Sequence, residues 1–158
     1  MTSPHEIVIN NRQRRRPIER AQIKKLIEWA CGELKIKRAE IGVHFVTAKE
    51  MSKVHERYMN IRGSTDVITF DHGSEPPADI HGEIFISVAD AEAQAAEFKT
   101  TWENEMSRYV IHGILHLLGY DDTTPRARAV MKRHENRLAK CSERKFVLGP
   151  PRKDPLND

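Results

Sequence analysis

Residues 100–122 read TTWENEMSRYVIHGILHLLGYDD, and the spacing of their apolar residues decides the architecture of the chain. At about 100° per residue, Met106, Tyr109, Val110, Gly113, Ile114 and Leu117 gather on one broad helical face, the side expected to lie on a sheet. Ile111, Leu115 and Leu118 make much of the remaining surface apolar, so this helix is expected to be buried nearly all round. Thr100 with Glu103 has the pattern of a capping box at its start, and Gly119 stands where a helix stops. His112 and His116 lie about 40° apart beside the sheet-facing side, and Glu105, two turns earlier, falls between them in projection.

Outward from this helix, strands and further helices alternate. EIVIN, IGVHFV, DVITF and EIFISV are rich in β-branched and aromatic residues and read as four strands. Pro17 opens a helix in which Ile18, Ile23, Leu26, Ile27 and Ala30 recur at helical spacing. Met51, Val54 and Tyr58 mark a short helix, and ADAEAQAAEF is helical on composition. Thr124 before Pro125 predicts an N-cap and first-turn proline, with a last helix to about Lys140. The expected fold class is α+β: an approximately four-stranded mixed sheet packed with helices, the metal-ligand candidates lying on a long core helix and the turn after it. Residues 1–148 are expected to form a single metal-dependent hydrolase domain, and 149–158, proline-rich and polar, a disordered tail.

Composition narrows the classes. The chain has 158 residues, 39% hydrophobic and 31% charged, and no apolar run near the roughly 20 residues that span a bilayer. The start, MTSPHEIVINN, has no apolar signal region, so the expectation is a soluble cytoplasmic protein with no membrane partner. Cys31 and Cys141 are too few for a disulfide framework and belong to no C-x-x-C pair, so both are read as reduced. A net charge of +3 permits a nucleic-acid partner without requiring one.

Two imidazoles on a buried helix cost desolvation unless each has a partner, and one metal ion satisfies both. An i, i+4 histidine pair, a glycine that turns the chain and an oxygen ligand just beyond make a strong zinc pattern. Asp122 stands six residues after His116, the spacing at which the long zinc-protease motif places its last histidine. The metal ligands are therefore read as His112, His116 and Asp122, holding one Zn2+ per chain, while Asp121 shapes the turn. Where zinc proteases carry a general-base glutamate after the first histidine, this chain has Gly113. Peptide hydrolysis is thereby disfavoured, and phosphodiesters, whose cleavage leans on metal charge, fit better.

HGILHLLGYDD, residues 112–122, closely resembles the H-G-x-L-H-L-x-G-Y-D-H signature of the YbeY family of bacterial zinc-dependent endoribonucleases. TDVITF at 65–70 and GEIFIS at 82–87 are similar to two of its strand motifs, and Glu105 matches a glutamate favoured seven residues before the first ligand. The resemblance spans roughly residues 41–138 and implies a single-strand endoribonuclease acting in ribosomal RNA maturation and ribosome quality control, with ribosomal RNA or a ribosomal subunit as partner. It departs in two places. Asp122 replaces the third histidine, and the family arginine after the tyrosine of L-N-x-x-Y-R falls on Met59, so Arg62 is taken as the arginine that reaches the phosphate. The catalytic residues are therefore read as Arg62, displaced from the family position, and Glu105, which orients a ligand or pairs with an arginine, with a solvated surface carboxylate as the alternative.

Two other functions stay open at this point: a zinc peptidase or other small hydrolase, and a noncatalytic ribosome-assembly factor braced by structural zinc. Arg12, Arg14, Arg15, Arg16 and Arg20 offer a positive track for RNA, with a solvated loop as the alternative. His44, His55, His72, His81 and His134 show no ligand spacing and are read as ordinary residues.

Overall fold

The computed structural model describes residues 5–59 and 65–146. The chain runs β1 (His5–Asn11), α1 (Arg20–Glu33), β2 (Arg38–Val46), α2 (Ala48–Met59), β3 (Val67–Asp71), β4 (Asp79–Ser87), α3 (Val88–Glu97), α4 (Trp102–Leu117) and α5 (Pro125–Lys145). The strands form one sheet in the order β1-β2-β4-β3. β2 pairs in parallel with β1 and β4, and β3 pairs antiparallel with β4, so the expected four-stranded mixed sheet is present. The expectations for Arg62 and for the tail from residue 149 lie outside the described residues.

Strand alternation assigns each side chain to a layer. Ile41, Val43 and Phe45 of β2 and Ile80, Ile84 and Ile86 of β4 face the main core, where α1 contributes Ile23, Leu26 and Ile27 and α4 contributes Val110, Ile114 and Leu117. The opposite face carries Val46 and Ile68, which α2 covers through Met51. The central helix is buried on most sides, as its sequence predicts: Met106, Tyr109, Val110, Ile111, Ile114, Leu115 and Leu117 are all buried.

Gly113 sets how closely α4 approaches the sheet. A Cβ there would stand 2.6 Å from Cδ1 and 2.7 Å from Cγ1 of Ile84, so the helix lies against β4 where only glycine fits. At the end of α4, Gly119 has φ +98°, the left-handed conformation that turns the chain toward Asp121 and Asp122.

Three boundaries differ from expectation. The N-cap of α4 is Thr101, whose Oγ1 accepts from Asn104 N at 3.2 Å, one residue later than the Thr100 pattern predicts. α1 opens at Arg20, not Pro17, because Gln13 closes a turn first: its Nε2 donates to Arg16 O at 2.7 Å and its Oε1 accepts from Arg16 N at 2.9 Å. α5 continues past Lys140 to Lys145, since buried Ser142 prolongs its inner face and Phe146 beyond it meets Trp29. Thr124 and Pro125 do open α5, with Thr124 Oγ1 accepting from Ala127 N at 3.1 Å.

Candidate metal centre

α4 presents His112 and His116 one turn apart on the flank that faces neither the sheet nor the deepest core, and both are half-buried. Their Nε2 atoms point at each other across 3.1 Å. The Gly119 turn then returns the chain so that Asp122 Oδ2 lies 3.8 Å from His116 Nε2. One ligand atom each from His112, His116 and Asp122 falls within 4.8 Å of the others. Ligands of a tetrahedral zinc stand about 3.3 Å apart for bonds near 2.0–2.1 Å, so this donor set fits the ion with small side-chain movements. Asp121 is occupied elsewhere, accepting from Thr123 N and Thr123 Oγ1 at 2.9 Å each in the turn.

The protonation state also suits a cation. Glu135 Oε1 lies 2.7 Å from His112 Nδ1, and its Oε2 accepts from Arg108 Nη1 at 2.8 Å. Burial opposes the Glu135 charge, but these two hydrogen bonds and the nearby Lys132 outweigh it and bring the carboxyl down to about 2. An ionised carboxylate only accepts, so His112 carries a proton on Nδ1 and turns its Nε2 toward His116. Burial, then the neighbouring His112, push His116 below the ordinary histidine range, against the opposing charges of Asp122 and Asp121. His116 is thus held neutral near pH 7, the form that binds metal.

The group opens on space. His112 and Asp122 line three cavities of about 610, 520 and 480 Å³, and His116 joins them in the second. The first is walled by Glu105, Arg108, Tyr109 and Phe98, the second by His55, Asp66 and Asp71, the third by Pro125, Arg128 and Lys132. Glu105 is 9% exposed, and burial pushes its carboxyl up while Arg108 opposes the shift. The Tyr109 hydroxyl lies beside it without meeting hydrogen-bond geometry.

Sequence reasoning missed the residue behind the first histidine. The carboxylate that orients His112 comes from α5 as Glu135, whereas Glu105 of α4 stands in the cavity wall. A signal was present: Glu135 lies on the same helical stripe as Met131, Leu138 and Ala139, and a carboxylate on a buried stripe requires a cationic partner. His55, read as ordinary, lines one cavity with His116 and Asp122. His44 and His72 are held by the two oxygens of Glu83 at 2.9 and 2.8 Å.

A mixed-sheet α+β scaffold with a solvent-open His-His-Asp group able to hold a metal ion is the class that fold and site define. The profile of the family described as Endoribonuclease YbeY matches residues 8–142, and the chain belongs to that family. A relative from Endomicrobium trichonymphae, named Endoribonuclease YbeY, is 36% identical over 107 residues, covering 68% of this chain and 74% of its own length. One of the same name from Chlamydia felis is 32% identical over 152 residues, 92% of this chain and 96% of the relative. The solution structure of TM1509 from Thermotoga maritima matches with a TM-score of 0.60 and 25% identity, over 94% of this chain and 99% of that one.

Proposed function

We propose that this protein is a zinc-dependent single-strand endoribonuclease that acts on ribosomal RNA during its maturation and in ribosome quality control. The observation that carries the reading is the convergence of His112, His116 and Asp122 donor atoms within 4.8 Å, lining one open cavity together, in a chain whose relatives are named endoribonucleases. A zinc ion bound there supplies a Lewis acid for phosphate oxygen and water.

The chain's own residues do the rest. Glu135 fixes the tautomer and orientation of His112, and Arg108 keeps Glu135 ionised. Asp122 brings one negative charge to the cation. Glu105 is a desolvated carboxyl on the wall of the substrate cavity, placed to exchange a proton with the RNA. Arg62 neutralises charge that builds on the phosphate. A peptidase would need its base at position 113, and that position faces Ile84 with no room for a side chain.

Purified protein with stoichiometric zinc is expected to cut single-stranded RNA, to leave peptides intact, and to stop when a chelator is added. Asp122→Ala should lose zinc and lower cleavage at least 100-fold while keeping its circular dichroism, because Asp122 is exposed and lies outside the hydrophobic core. Full zinc occupancy and normal cleavage in that variant would remove Asp122 from the ligand set.

A further inference from the structure

Three arginines of the run that follows β1 are engaged within the molecule. Arg12 pairs with Glu50, and Arg15 and Arg16 both pair with Glu92, each at 2.7 Å. Arg16 also lies over the Trp102 ring. These contacts tie the loop to α2, α3 and α4 and place three of its arginines against two carboxylates.

α5 is built differently. It carries eight Lys and Arg against two Asp and Glu. That excess is larger than the +3 of the whole chain, so the remaining sequence is net acidic. Projected down the helix, Arg126, Arg133, Arg137, Lys140 and Arg144 fall within about 60° of one another, opposite the side that buries Met131, Glu135, Leu138 and Ser142. All five are exposed, and none belongs to an ion pair among the described residues. The row is about 27 Å long.

Helix surfaces that only face water commonly mix signs, because like charges one turn apart repel. A single-signed row of this length is destabilising until an anion lies along it. The row also adjoins the metal-ligand group: Pro125, Arg128, Ala129 and Lys132, on the neighbouring flank of α5, wall the cavity that reaches His112 and Asp122. A phosphate chain leaving that cavity over this flank meets the row directly.

We infer that the outward face of α5 is a docking ridge for the RNA backbone beyond the bond that is cut. The identity of the partner rests on the endoribonuclease reading; the charge pattern does not. No aromatic side chain lies within the row, so it holds phosphates without reading bases. The ridge favours long RNA over short, and short substrates depend on the cavity alone.

The test uses the full chain with zinc, in wild-type form and as the triple variant R133Q/R137Q/K140Q, with R133K/R137K as a charge-keeping control. Binding and cleavage are measured on a long structured RNA and on a single-stranded oligonucleotide short enough to fill only the cavity, across a salt series. For the triple variant, affinity for the long RNA should fall about tenfold or more, and the log–log salt slope should shallow by about 2 to 3. KM for the long RNA should rise with kcat unchanged, cleavage of the short oligonucleotide should match wild type, and the lysine control should behave as wild type. Unchanged affinity and slope on the long RNA would overturn the ridge, as would ridge-dependent binding to phosphatidylglycerol vesicles with no effect on RNA. Should wild type cut no RNA yet bind it through these residues, the endoribonuclease reading fails and the ridge stands.

Discussion

Glu135 is the buried carboxylate that meets the candidate ligand His112. Its two oxygens receive His112 and Arg108 at 2.7 and 2.8 Å in a side chain only 5% exposed. Glu135→Gln keeps the shape and removes the charge, so His112 loses its preferred tautomer and Arg108 its counter-ion. If the proposed site holds zinc, its affinity is expected to fall about 10- to 100-fold in a chelator-competition titration. The same residue sets an acid limit. Its folded-state pKa is depressed from 4.5 to about 2, so its contribution is fully present above the unfolded value and is lost as pH falls from about 4.5 toward 2. That contribution is on the order of 3 kcal/mol. Urea unfolding at pH 6 and pH 3 should show it in wild type and not in the glutamine variant, whose pH dependence in that window should be shallower.

At the scale of elements, the packing of α4 on β4 governs where the candidate ligands stand. Gly113 brings the helix against Ile84, and its neighbour His112 is thereby held at the height of Glu135 on α5. Gly113→Ala would push a methyl group to 2.6 Å from Ile84 Cδ1. Overpacking of this kind costs about 1–3 kcal/mol, against a helix-propensity gain of about 1 kcal/mol, so a net loss in urea stability is expected. Ile84→Val in the same chain should recover part of it, and additive effects of the two changes would argue against direct contact. Much of this was legible beforehand. The burial of α4, the Gly119 stop and the Thr124-Pro125 start all follow from local rules of spacing and capping. The shift from Thr100 to Thr101 did not, because adjacent threonines offer the same hydroxyl and only the backbone of the incoming loop separates them.

For the molecule as a whole, the main core and the metal-ligand group are nearly separate. Ile84, Ile86, Val110 and Ile114 pack beneath the sheet-facing side of α4, while His112, His116 and Asp122 stand at the rim. Metal removal by a chelator should therefore leave far-ultraviolet circular dichroism unchanged and lower Tm only by the amount that mass action with the ion provides. Loss of the fold on chelation would instead favour a structural ion. Among the described residues, no helix is long and apolar enough to cross a membrane. The sequence by itself determined the mixed α+β class, the buried central helix and the His-His-Asp spacing, because each depends on residues close along the chain, where helical period and turn chemistry are read directly. Only the tertiary structure brought Glu135 from 23 residues away to His112, set Arg12, Arg15 and Arg16 against Glu50 and Glu92, and left one face of α5 unanswered. Those are choices between elements, and a charge pattern along one segment cannot say which acid the fold will place against it.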